Sequence, residues 1–527
     1  KQTKQQVENL KKSLSIAIAL SIAVAMSVGV QAQANDGVLQ SEKEFQELMP
    51  ITGTVKTFFG DFELDHSFPA EGEAKRIYDI LDHQRASQLY LWGLPLVAMT
   101  RWHQGYVDSL KDYDYQTIVH ASTYNERRGI LTPNESTEYF WGFANTRDAP
   151  AILEIPKGVT VGMIADMWEQ GPSDIGLFGP NVGEGGVHVI VGPNTPQDKI
   201  PTPADNQRIV RVETDQAFVL ARLLGTPEEV KALSAKLKFY RYGDKPGVKI
   251  ISGEDKYVPN YQPRGLAFWK LLHLAINQET VRDQDRHFMY WLKTLGIEKG
   301  KPFKPTERQK KILIDGAKTG ELMAKSFVYD ERIEGVLRQN DWRMVLGGPW
   351  GEGIKYTQRV GHYDTFDPRA RYTYEACVTS PAMTVPYKDK AQAYIVKFKD
   401  DGGKRMKGGN NYVVHIEKDP PAKLFWSIVI YDADTRTILD NRKVTEGGKA
   451  TVGSRTEGLR KNDDGSITMM VGPEAPPKGW EANYVRTLPE RGWFPYLRGF
   501  GAGPEFFNDE YKLPTVKAVD DFSEYIK

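Results

Sequence analysis

The run Thr132-Pro133-Asn134-Glu135-Ser136-Thr137-Glu138-Tyr139-Phe140-Trp141 is the densest mixture of carboxylates, hydroxyls and aromatic rings in the chain. On a loop entering a strand, Glu135 and Glu138 would supply an acid and a base, or oxygen ligands for a hard cation. Tyr139 and Trp141 would offer flat faces to a sugar. The plainer reading, a turn with solvated carboxylates and a core Trp, carries more weight. Asp166, Trp168 and Glu169 repeat the mixture at a spacing that also suits the start of an amphipathic helix. His188 is the third catalytic candidate; it falls in a predicted strand, where a satisfied sheet histidine is the simpler expectation.

A second constellation lies near the C-terminus. Arg455, Arg486, Arg491 and Arg498 interleave with Trp480, Tyr484, Trp493 and Tyr496, a combination suited to an anionic or carbohydrate ligand or to a subunit interface. The candidate ligand contacts are therefore Trp141, Trp168, Arg455, Arg486, Trp493 and Arg498. Against them stands a set of arginine stems packed over a sheet edge. Gly179–Gly186 is glycine-rich but is followed by a strand instead of a helix, so it reads as a turn and not a phosphate cradle. Asp432, Asp434, Asp440 and Asn441 lack EF-hand spacing and read as turns rich in Asx hydrogen bonds.

Compact catalytic motifs are missing: there is no G-x-S-x-G, H-E-x-x-H, Walker A or C-x-x-C. The nine His are dispersed, none within four residues of another, and Cys377 is the single cysteine. No disulfide scaffold, resident metal or cofactor is expected.

The elements that must position these residues follow from composition and period. A single core stops growing at about 250–300 residues, so 527 residues must divide. The expected divisions are a leader over 1–34, a β-rich domain over 35–213, a helical linking region over 214–345 and a C-terminal β-sandwich over 346–527. Short β-branched runs closed by turn formers, such as Ala151–Ile155 and Val187–Val191, predict strands in the first domain. A helix is expected through Ala74–Leu91, and Thr226-Pro227-Glu228-Glu229 and Thr306-Glu307-Arg308-Gln309 are helix starts with capping-box logic. Tyr412–Ile416, Leu424–Tyr431 and Ile467–Val471 predict the second set of strands. The fold class is mainly β with a helical insert: two β-sandwich-like, jelly-roll-like domains bridged by α-helices.

Lys1, Lys4, Lys11 and Lys12 precede the uncharged stretch Leu14–Val30 and Ala32-Gln33-Ala34, the order of a secretory signal peptide cut after Ala32 or Ala34. The expected location is periplasmic or secreted, with no transmembrane span after cleavage. The chain has 69 basic and 69 acidic side chains. Losing the leader's four Lys and one Glu leaves a net charge of −3, which excludes the electrostatic footprint of a nucleic-acid binder.

Tyr90-Leu91-Trp92-Gly93-Leu94-Pro95-Leu96-Val97, Leu131-Thr132-Pro133-Asn134, Leu153-Glu154-Ile155-Pro156 and Val189-Ile190-Val191-Gly192-Pro193 resemble the bacterial domain of unknown function 1254. Leu424-Phe425-Trp426-Ser427 with Tyr431-Asp432, Asn462-Asp463-Asp464-Gly465-Ser466 and Glu481-Ala482-Asn483-Tyr484 with Leu488-Pro489 resemble its companion, domain of unknown function 1214. The joining segment Leu295-Gly296-Ile297, then Gly300-Lys301-Pro302-Phe303, fits the same pattern. Glu135-Ser136-Thr137 departs from it, where a run richer in Asn and Asp is expected, which weakens a metal reading of that loop. The resemblance implies two β-sandwich-like domains joined by helices and supplies no catalytic residue. Two functions follow as expectations. One is an exported, homo-oligomeric, envelope-associated or ligand-binding protein, its ligand a carbohydrate or other small molecule. The other is a periplasmic hydrolase of a carbohydrate or ester, using Glu135 and Glu138.

Overall fold

The computed structural model describes residues 41–526 apart from 136, 331–338, 347–358, 361–362 and 385–390. The expected leader and both cleavage positions lie outside the described residues, as does Ser136. The described residues fall into two compact units, divided between Leu81 and Asp82. In the first, Ser41 and Glu44 form a reciprocal cap on the helix Glu42–Leu48, and Gly53–Thr57, Gly60–Asp65 and Phe68–Pro69 form an antiparallel sheet. This small unit leaves large apolar side chains exposed, Phe58, Phe68 and Leu48 among them.

A helix runs over Glu73–Ser109, longer than the expected Ala74–Leu91, and Pro95 sits inside it. Proline removes a helical hydrogen bond and crowds the preceding turn. Side chains from elsewhere serve the carbonyls nearby: Arg369 Nη2 donates to Trp92 O at 2.8 Å and Gln262 Nε2 to Leu94 O at 3.3 Å. From Ala86 to Thr100 this helix is almost wholly buried.

The N-terminal sheets form a sandwich. The larger has strand order Lys249–Ser252, Thr117–Ala121, Tyr139–Asn145, Gln216–Leu223, Thr160–Asp166, Ser173–Gly176. The smaller has Gln207–Arg211, Gly186–Val191, Ala151–Ile155, Lys238–Arg241. Alternation along Tyr139–Asn145 explains how the larger sheet serves two cores. Phe140 and Ala144 pack towards the smaller sheet, and Tyr139, Trp141 and Phe143 pack on the opposite face, against a second and larger cluster. A one-residue slip would exchange these sets, so burial on both faces fixes the register. Strands continue past Thr214, where a helical period was expected. Gln216–Leu223 is buried at every position, and a strand buried on both faces loses its period of two.

Helices Leu266–Gln278, Arg286–Thr294 and Glu307–Tyr329 follow, the last opened by the expected Thr306–Gln309 cap. The C-terminal sheets are a five-stranded one, ordered Arg343–Met344, Ala391–Val396, Trp493–Ala502, Ala422–Asp432, Thr451–Gly453, and a four-stranded one, ordered Tyr484–Arg486, Ile467–Gly472, Asn411–Ile416, Thr515–Val519. The structure is thus mostly β-sheet with a helical insert. Its largest core joins the long helix, one face of the N-terminal sandwich and the C-terminal sheets. Among the described residues no helix is long and apolar enough to cross a membrane.

Candidate functional site: a cleft between the sheet systems

Where that shared core opens, a cleft of about 850 Å³, open solvent at its mouth included, is lined by residues of both sheet systems. Cross-strand register builds one wall: Trp141 and Met163 both lie opposite Leu220, forming a row of apolar side chains on the N-terminal sheet. Trp102 of the long helix packs edge-on to Trp141 at 4.9 Å. The other wall is the cross-strand pair Tyr394 and Arg498 on the C-terminal sheet, flanked along one strand by Tyr496 and Phe500.

Arg498 is 4% exposed. Its Nη1 donates to the Tyr431 hydroxyl at 2.5 Å and its Nη2 to the Thr132 carbonyl at 2.6 Å. The rings of Tyr496, Tyr431 and Tyr394 surround the guanidinium at 4.9, 5.4 and 5.8 Å. Thr132 holds a left-handed backbone, φ 35°, a strained conformation for a β-branched residue; its N–H donates to Arg436 O while its carbonyl faces Arg498. Arg222, at the end of Gln216–Leu223, is 8% exposed. It lies 5.0 Å from the Phe500 ring and 5.5 Å from the Tyr139 ring, and its Nε is buried with no hydrogen-bond partner. Among the described residues no carboxylate is ion-paired with either arginine.

The third side of the cleft is the segment from Ala376 to Met383, held by two buried acids of the N-terminal sheet system. Glu169 Oε2 accepts from Val378 N–H at 3.1 Å, and Asp174 Oδ2 accepts from Ala382 N–H at 2.8 Å. Burial pushes the Glu169 carboxyl well above the carboxylate range. It pushes Asp174 up to about 6 against the opposing hydrogen bonds of Ser380 and Ala382. Gly171 permits the approach, since a Cβ there would sit 1.9 Å from the Thr379 carbonyl. Cys377 lines the cleft with its thiol directed at Leu131 O, 3.7 Å away, and burial raises its pKa.

Of the candidate ligand contacts, Trp141 and Arg498 meet in this cleft, beside Tyr139 and Tyr496 of the same two constellations. The others lie elsewhere. Glu135 and Glu138 turn to different partners, Thr451 Oγ1 and His120 Nε2 respectively, the latter at 2.7 Å. Arg127 explains the divergence: its guanidinium donates to the carbonyls of Asn134, Glu135 and Thr137, curling the loop around itself. Neither carboxylate lines the cleft. His188 is buried in the smaller N-terminal sheet opposite Leu153 and Arg208, and desolvation lowers its pKa to about 4. Trp168 lies under Arg282, 4.1 Å from its ring. The helix start expected at Asp166 is a turn, because Asp166 Oδ1 accepts from the N–H groups of Trp168 and Gln170 at 2.8 and 3.0 Å, an Asx bond that competes with helix. Arg455 covers the Phe425 ring at 4.0 Å, Arg486 is exposed at a strand end, and Trp493 is buried on Tyr412. The four C-terminal arginines therefore form no common surface; Arg491 pairs with Asp432 at 2.5 Å.

The arrangement defines a two-part β protein with a cleft between its sheet systems. Residues 115–241 match Protein of unknown function (DUF1254), and residues 391–504 match Protein of unknown function (DUF1214). The two matches stand in the N-to-C order that the sequence resemblance implied. It is similar to the VPA0106 protein from Vibrio parahaemolyticus, at 18% identity and a TM-score of 0.49, over 83% of this chain and all of that one. It is also similar to an uncharacterised protein from Burkholderia cenocepacia, at 13% identity and a TM-score of 0.40, over 85% and 97%. A comparison with curated proteins returns no match.

Proposed function

We propose that the protein is an exported small-molecule-binding protein whose site is the cleft between the DUF1254 and DUF1214 domains. The observation that carries this reading is the lining: an apolar, aromatic wall with a few convergent polar groups, contributed by both domains, which is the usual make-up of a ligand site. Export is supported by the basic, apolar and small-residue order of residues 1–34, and the periplasm is the compartment proposed. Self-association is supported by Phe58, Phe68 and Leu48, which the N-terminal unit leaves exposed; light scattering on the mature chain should give more than one copy, and a monomer would remove this part.

The cleft is tested with the uncharged fluorophore N-phenyl-1-naphthylamine. Saturable binding of one equivalent per chain, lost in Met163→Trp, which fills the wall opposite Leu220, is expected. Binding that fails to saturate, or that survives this substitution in a folded variant, refutes the assignment.

A further inference from the structure

Resting on the cleft reading, we infer that the ligand is an amphipathic organic carboxylate, its two oxygens held between Arg222 and Arg498 and its apolar body laid along Trp141, Leu220 and Met163. A guanidinium is always charged, and burying it is costly unless an opposite charge or several acceptors compensate. Arg498 obtains one hydroxyl, one carbonyl and three ring faces, and the Glu375 carboxyl feels its charge; Arg222 obtains two ring faces and the Tyr394 phenol and keeps an orphaned Nε. Both are more than nine-tenths buried and both line the same cleft. They share neighbours as well. Tyr394 feels the charge of each, and Tyr139 lies beneath Arg222 while its phenol also acts on Arg498.

Two cations in a low-dielectric cleft repel each other and strengthen any anion placed between them. One comes from each domain. An oxyanion would satisfy the Arg222 Nε that the protein leaves unpaired, and planar, charge-assisted hydrogen bonds to carboxylate are what guanidinium groups make best. The wall of Trp141, Leu220 and Met163 decides the rest of the molecule, since it is a row of apolar side chains. Asp174, the acid on the cleft's third side, is engaged by Ala382 and pairs with neither arginine.

The experiment displaces N-phenyl-1-naphthylamine from the full mature chain with 4-phenylbutyrate, its primary amide and the matching phosphonate. The carboxylate should displace the probe at least about tenfold more tightly than the amide, a difference of about 1.4 kcal/mol. Arg222→Met should shrink that preference to less than about threefold. Arg498→Met tests the second cation if it folds; the wild-type comparison of acid with amide needs no variant. Equal displacement by acid and amide overturns the carboxylate while the cleft reading stands. Tighter binding of the phosphonate also overturns it, by moving the head group to a phosphate. Absence of probe binding to the wild type removes the cleft reading itself.

Discussion

Replacing Asp174 by Asn should make the protein more stable at neutral pH and should do so in a pH-dependent way. Burial raises this carboxyl from 3.8 to about 6, so the folded protein holds the proton more firmly than the unfolded chain does. Ionisation therefore costs stability: nothing below pH 3.8, where both states are protonated, and the full amount above the folded value. Each pKa unit is worth about 1.4 kcal/mol, giving a full cost of about 3 kcal/mol, of which about 2 kcal/mol accrues between pH 4.5 and 7.5. Asn keeps an oxygen that can accept from Ala382 N–H, the bond Asp174 makes at 2.8 Å, and it cannot ionise. Urea unfolding of wild type and Asp174→Asn at the two pH values isolates this group, because every other titration cancels in the difference. The variant's advantage should grow by about 2 kcal/mol from the lower to the higher pH. A constant difference, or one that shrinks as pH rises, would show that Asp174 is ionised without penalty and that the third side of the cleft is wetter than its burial implies.

Two further outcomes follow from packing and charge. At the crossing of Glu73–Ser109 with Glu307–Tyr329, a Cβ on Gly316 would lie 2.3 Å from the Ala86 Cβ. Gly316→Ala gains up to about 1 kcal/mol of helix propensity but overpacks at about 1–3 kcal/mol; it should lower stability in chemical denaturation, and Ala86→Gly added to it should recover part of the loss. His188 titrates in the opposite sense to Asp174. Its pKa falls from 6.5 to about 4 on burial, so its stability contribution is present above pH 6.5 and is lost as pH falls towards 4. His188→Gln should lose about 2–3 kcal/mol less than wild type between pH 7 and 4.5, and parallel acid limbs for the two proteins would contradict a buried, neutral imidazole.

The strands with alternating or uniformly apolar patterns were legible in the sequence, as were the capped starts at Thr226 and Thr306, because each is encoded within a few neighbouring residues. The long helix was legible only to Leu91. Gly93 and Pro95 are local stop signals, overridden by Arg369 and Gln262, which arrive from 277 and 168 residues away. The site was half legible. Arg498 attracted notice through its aromatic neighbours in sequence, whereas Arg222 did not, although a single charge inside the apolar strand Gln-Ala-Phe-Val-Leu-Ala-Arg-Leu was the signal that could have found it. Glu135 and Glu138 misled for a related reason: spacing placed them together, but Arg127 gathers the loop's carbonyls and turns the two carboxylates apart.

The Thr132 loop does more than shape the cleft. Leu131 makes a β-bridge to Thr437, Thr132 N–H donates to Arg436 O at 2.9 Å, the Tyr431 hydroxyl donates to Pro133 O, and Tyr124 donates to Leu439 O at 2.6 Å. Main chain of the DUF1254 segment is thus stitched to main chain of the DUF1214 segment. A fragment cut at the edges of either family match would present a bare aromatic wall and broken backbone pairs to water. The two matches record where sequence likeness begins and ends, while the compact unit is the larger stretch from Asp82 onward.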